Sequence, residues 1–333
     1  MKAGWLLTPA RVLFVLSPMI GELLSGSAPP AEFFNPISLL VLCALYGSGA
    51  VLIREMAHRW GKGWPTILLL GAAYGIVEEG LMVKSFFDPT WMDLGPLGHY
   101  GRWAGINWVW SIELTFYHAV FSISIPILLV GLAFPAERQR PWVSPTMFRF
   151  LSVLLAADVV LGFLALTTYR PPVVPYLLSA LAVVLLGMVA RRAPQAWLPA
   201  TRSSAPARGP RWFLLAGLGG TVGFFFLAWV LPNTSTPPLA TVLLSVLWVA
   251  WLGWRLARQF GLAPDGAHNR ALALAAGALG FFILLAPLQE TDSTRVDNTT
   301  GMTLVGLAAA LFLWWLWRRV AHARTTGIDA AGA

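Results

Sequence analysis

Two carboxylates, Glu78 and Glu79, stand side by side in GAAYGIVEEGLMVK (71–84), and a histidine, His118, follows in INWVWSIELTFYHAVFS (106–122). Adjacent carboxylates near an imidazole suit two kinds of chemistry. Glu and His position a water or hold a divalent metal such as zinc, with a second Glu as general base. All three side chains then count as candidate metal ligands. Alternatively, buried Glu and His relay protons and couple them to transport. A third reading is plainer: adjacent glutamates hydrogen-bond neighbouring helices and fix the packing of a non-catalytic scaffold. Glu22 and Glu113 lie in apolar stretches too and are candidate supporting groups. Between the two segments come Lys84, Asp88, Asp93, His99, Arg102 and Asn107, candidates for binding a substrate or closing over it as a lid. Ionisable groups inside apolar spans are costly, which makes them functional candidates by default.

The elements that must position these groups are membrane helices. Hydrophobic residues make up 57% of the 333 and charged residues 11%. That is too little charge to cover a soluble surface. Apolar runs of about 20 residues, separated by short basic or Pro-rich connectors, read as spans. Ten are expected, at 8–27, 36–54, 64–84, 106–133, 148–168, 173–190, 212–231, 237–254, 271–288 and 301–317. With the N-terminus inside, nineteen of the 23 Lys and Arg fall on inner segments, leaving Lys84, Arg102, Arg170 and Arg295 outside. The positive-inside rule thus favours an all-α bundle with both termini cytoplasmic. The same distribution removes nucleic acid as an explanation of the net charge of +8. The lipid bilayer is the expected partner, and a multi-pass place in a prokaryotic plasma membrane the expected location. Oligomeric state is left open.

Charge divides the chain unevenly. Residues 1–168, the first five spans, hold Glu22, Glu78, Glu79, Glu113, His118 and Asp158. Residues 169–324, the last five, have no charged group or histidine in their central parts and read as scaffold. The connector 191–211 is rich in Arg, Pro, Ala and Ser and reads as a flexible cytoplasmic loop, and 325–333 as a disordered tail. The lone Cys43 allows no intrachain disulfide. No Gly-rich nucleotide loop is present, so ATP use is not expected.

Depth and phase bring the polar groups together. With a rise of about 1.5 Å per residue, Glu78 and Glu79 lie roughly 8–9 Å below the outer end of their helix, and Glu113 at similar depth. His118 is roughly 8 Å deeper. At about 100° per residue, Asn107, Ser111, Thr115, His118 and Ser122 form one stripe, with Glu113 roughly 140° away from His118. Gly71 and Gly75 form a GxxxG pair that admits a neighbouring helix closely. The connector 85–105 alternates apolar anchors with polar groups; it reads as a lid or as a loop lying at the headgroups.

The run Glu78-Glu79-Gly80-Leu81-Met82-Val83-Lys84, followed by His118 on the next helix, resembles the CAAX-protease and bacteriocin-processing (CPBP) family of intramembrane proteases. That family carries EExxxR and FxxxH on two membrane helices. The resemblance covers residues 71–122. It implies that Glu78 activates a water, Glu79 supports it and His118 binds or orients it, with a membrane peptide or lipid-like substrate. The chain departs from the pattern in three places. The basic residue falls one position late, at Lys84, Leu114 stands where the family has phenylalanine, and a third motif of the HxxxN kind is absent. Two function classes therefore stay open, a membrane-embedded hydrolase and a proton-coupled carrier.

Overall fold

A computed structural model of the chain describes residues 7–196, 208–262 and 267–325. The tail expected from 325 onward lies outside the described residues apart from its first position, as does the middle of the 191–211 connector. The protein is an all-α bundle. Among the described residues nine helices are long and apolar enough to cross a membrane: α2 (Pro36–Arg59), α3 (Trp64–Met82), α4 (Trp108–Ala133), α5 (Pro145–Ala165), α6 (Val173–Arg192), α7 (Pro210–Asn233), α8 (Pro238–Phe260), α9 (Ala267–Thr291) and α10 (Met302–His322). The expected first span is a helix too, α1, over residues 9–24. It is shorter than the roughly 20 residues a membrane crossing needs.

Local sequence sets most helix starts. Proline stands in the first turn of α1, α3 and α5, where its missing N–H costs nothing. Thr8, Asn35, Asn107 and Ser144 cap α1, α2, α4 and α5 through side-chain oxygens.

Five helices contain a π-helical turn: Met19–Leu24 in α1, Cys43–Gly47 in α2, Ile76–Met82 in α3, His118–Ser124 in α4 and Phe226–Val230 in α7. A π turn shifts the ladder from i→i+4 to i→i+5 and disturbs its pairing of carbonyls. In lipid a carbonyl needs a partner from within the protein. Each of the five turns has one. Gly21 O accepts from Tyr117 (2.5 Å) and Ser25 (2.9 Å). Ser17 Oγ donates to Tyr46 O (3.2 Å) and Ser122 O (2.6 Å), a hydroxyl shared between α2 and α4. Leu81 O accepts from Tyr176 at 3.1 Å, and Trp229 O from Asn233 at 2.8 Å.

Two apolar cores flank α4. On one side Tyr46, Ile53, Leu70, Tyr74 and Met82 pack with Ile123 and Ile127. On the other, Tyr117, Phe121 and Leu129 pack with Phe225, Leu279, Phe282 and Leu316. Helices α7, α9 and α10 therefore close the back of the helix that carries His118. The close approach expected of Gly71 and Gly75 is made with α4. A Cβ on Gly71 would sit 2.9 Å from Ala119 Cα, and one on Gly75 3.1 Å from His118 Cβ.

The connector between α3 and α4 has a small core of its own, in which Phe86, Phe87, Leu94 and Leu97 pack with Val109 and Trp110. A two-residue β bridge pairs Arg102 with Asn107 and Trp103 with Ile106.

Candidate functional site

Glu78, Glu79 and His118 converge. One ligand-type atom from each lies within 4.8 Å of the others. His118 Nε2 is 3.1 Å from Glu79 Oε1, and Nδ1 is 3.4 Å from Glu78 Oε2 and 3.0 Å from Ser122 Oγ. His118 is 2% exposed and Glu78 5%. Glu79 is half-buried, and its second oxygen accepts from Ser85 Oγ, which itself accepts from Trp110 Nε1 at 3.0 Å. Glu78 Oε2 and the Tyr74 hydroxyl are both buried and make no well-formed hydrogen bond, although the two side chains interact with each other. Unpaired buried polar atoms are rare because each costs about 1–3 kcal/mol. Here the two poorly paired groups face each other beside the imidazole, a cluster with capacity left for a polar ligand.

Glu22 joins from α1. Its Oε1 accepts from the Tyr46 hydroxyl, and it is close enough to Glu78, Glu79 and His118 to act on all three electrostatically. Three tyrosine rings surround His118: Tyr117 at 5.2 Å, Tyr46 at 5.9 Å and Tyr74 at 6.1 Å between centroids. Gly21 leaves the space this needs, since a Cβ there would lie 2.8 Å from Tyr46 Cε1 and 2.9 Å from Ser122 Oγ. The π turns aim the groups. Glu22, Tyr46, the Glu78–Glu79 pair and His118 each lie in one, on four different helices.

The other candidates sit elsewhere. Glu113 is 3% exposed and faces α7, where its Oε1 accepts from Trp229 Nε1 at 2.7 Å while Oε2 is unpaired. Lys84 is fully buried, with Nζ donating to Phe163 O (2.7 Å) and Thr167 O (3.0 Å) and lying 4.3 Å from the Phe163 ring centroid. It places a cation on carbonyls at the end of α5, where the helix dipole favours one. Its φ of 66° puts it in the left-handed position that commonly ends a helix. Asn107 caps α4 through Trp110 N (3.0 Å) and donates to Leu97 O. Asp88 closes a turn onto Thr90 N at 2.9 Å. Arg102 donates to Phe87 O, which also accepts from Tyr169 at 3.1 Å. Asp93 and His99 are exposed. Asp158 is buried on α5 with Oδ2 unpaired.

Sequence reasoning missed Tyr46, Tyr74 and Tyr117, the ring around the histidine. Tyrosine in an apolar span is ordinary, so type alone gave no signal. Ser85 and Trp110 were missed for the same reason.

Comparisons with curated proteins and with solved structures returned no match. A family model matches residues 12–323. It describes an uncharacterized membrane protein family, and this multi-pass chain belongs to that family.

Proposed function

We propose that the protein is a membrane-embedded hydrolase of a peptide or lipid-like substrate, with Glu78, Glu79 and His118 as its catalytic groups. The observation that carries the reading is the convergence on one imidazole of Glu78 Oε2, buried and 3.4 Å away, and Glu79 Oε1, 3.1 Å away. Such a carboxylate is a base waiting for a proton. In the proposed reaction Glu78 takes a proton from a water as the water oxygen bonds to the substrate carbonyl carbon. His118, oriented by Ser122 and Glu79, holds that water in place. The Tyr74 hydroxyl, buried beside Glu78, donates to the oxyanion. The bond to the leaving group then breaks, and the proton held by Glu78 passes to the leaving group. The resemblance to the CPBP proteases supports the same roles for Glu78, Glu79 and His118.

The test is Glu78→Gln, which keeps shape and removes basicity. Purified protein is assayed on membrane peptides and prenylated peptides. General-base loss is worth about 10²–10⁴ in rate, so turnover should fall by that factor while the thermal unfolding curve stays in place. A Gln variant with undiminished cleavage overturns the assignment. No cleavage by wild type, together with gradient-driven uptake into liposomes, makes the protein a carrier instead.

The proposed orientation keeps both termini in the cytoplasm of a prokaryotic cell. It is supported by the excess of Lys and Arg on alternate connectors. Cysteines placed at Asp93 and Arg140 should label from opposite sides, Arg140 from within. Labelling from one side sinks this topology.

A further inference from the structure

The cluster holds more acidic groups than basic ones. Glu22, Glu78 and Glu79 interact with one another and with a single imidazole, His118. Ionised, the four groups sum to −2 even with His118 protonated. Among the described residues the ion pairs of Glu78 and Glu79 are made with His118 alone.

The cations at that end of the bundle are spent elsewhere. Lys84 is bonded to the carbonyls of Phe163 and Thr167, Arg102 to Phe87 O, and Arg295 to Asp297 (2.5 Å) and Gly26 O (2.7 Å). Arg170 reaches carbonyls of its own loop at 3.3 and 3.4 Å. Most of the described carboxylates lie toward this end, against those four basic residues. Glu32, Asp93 and Asp297, from three different connectors, act on one another electrostatically, and Asp93 also acts on Glu79.

Buried carboxyl groups are stable when paired, when they coordinate a metal or when a proton neutralises them, and metal loading of the purified protein separates the last two. We infer that the cluster takes up one divalent metal ion, held by oxygens of Glu78 and Glu79 and a nitrogen of His118, drawn in past the acidic connectors and balanced by Glu22 through Tyr46. The donor set fits. Zinc takes carboxylate oxygen and imidazole nitrogen at about 2.0–2.2 Å, and three such atoms already lie within 4.8 Å of one another. Glu78 Oε2, which makes no well-formed hydrogen bond, gains a ligand. Ser122 Oγ on Nδ1 fixes the ring, as metal-bound imidazoles require. A carboxylate has two oxygens, so Glu78 can hold an ion with one and accept a proton with the other. The inference rests on this cluster being the functional centre, but not on the cluster hydrolysing anything.

The test uses the full chain purified in detergent, stripped with chelator, reloaded with Zn²⁺ or with Mn²⁺ and desalted. Elemental analysis should find about one ion per chain in wild type. His118→Gln and Glu79→Gln should lose it. Glu22→Gln should bind 10–100-fold more weakly, the usual cost of removing a group that supports a ligand. His99→Ala, on the exposed connector, should match wild type. The ion should also raise the thermal midpoint of wild type, because it binds only the folded state, and leave that of His118→Gln unmoved. Equal loading of wild type and His118→Gln overturns the site. Wild-type affinity in Glu22→Gln overturns the part given to Glu22. A loaded protein that cleaves nothing removes the hydrolase reading and leaves the metal site standing.

Discussion

Helices α4 and α6 are both apolar enough to span a bilayer, yet they live in different surroundings. In α4, 78% of the most apolar stretch is buried within the protein; in α6 the figure is 6%. Helix α4 carries Glu113, His118 and Ser122, and every one of them is covered. Helix α6 presents Val173, Val174, Leu177, Leu178, Leu181 and Val184 outward. The difference shows what decides where polar chemistry can sit in a membrane. A carboxylate facing lipid has no partner, whereas one facing other helices can be given several. In this protein α3 and α4 hold the site because α1, α2, α7, α9 and α10 surround them.

The contrast breaks most visibly at Glu55. It is 0% exposed on α2 and accepts from Arg54 (2.5 Å) and from Trp142 N (2.7 Å), while Arg54 Nη2 donates to Arg138 O (2.8 Å) and stacks over Trp142. Glu55→Ala leaves Arg54 buried and uncompensated, which costs about 3–5 kcal/mol. Chemical unfolding of the purified protein measures it, and a loss under about 1 kcal/mol would show that water reaches this pair.

Glycines sharpen the same comparison. Gly71→Leu drives a side chain into the Ala119 backbone at 2.9 Å and should cost about 1–3 kcal/mol or more. Gly187 on α6 has nothing within 4 Å of a built Cβ. Gly187→Ala should therefore be neutral or stabilise by about 0.5–1 kcal/mol. If both substitutions cost the same, the covered and uncovered helices do not differ as described.

The smallest effect concerns the connector beyond α9. Arg295 holds Asp297 below the ordinary carboxylate range, chiefly by hydrogen bonding. A depressed carboxyl contributes stability that is complete above its unfolded value near pH 4 and lost as pH falls through the folded one. The difference in thermal midpoint between wild type and Arg295→Met, small because the pair is partly exposed, should shrink as pH drops from 6 to 3. A gap constant across that range means Asp297 contributes nothing.

Much of this could be read from sequence, for identifiable reasons. Charged groups in apolar runs are conspicuous, so Glu78, Glu79 and His118 stood out, but counting residues along straight helices set His118 too deep, whereas its ring meets both carboxylates. The stripe from Asn107 to Ser122 mixed two roles. Asn107 caps the helix start, and only the His118 end faces the carboxylates. Glu113 lay off that stripe by phase and does face another helix, meeting Trp229. Lys84 read as a site residue because its type is rare in a span, but fixing the end of α5 needs the same type. The π turns were illegible, since a hydropathy pattern assumes one period along the whole helix.

Those turns have a consequence for how this sequence tolerates insertion and deletion. A single residue removed from an ordinary membrane helix rotates everything beyond it by about 100°. A π turn already contains one residue more than the regular ladder requires. Deleting a residue within His118–Ser124 would let α4 relax into unbroken α-helix, equally apolar and equally long for the bilayer. Its two faces would no longer be offset, and His118 could not meet α3 while Ser122 O kept its bond from Ser17. The chain would still insert and still look like the same membrane protein to a hydropathy scale, with its centre dismantled by one codon.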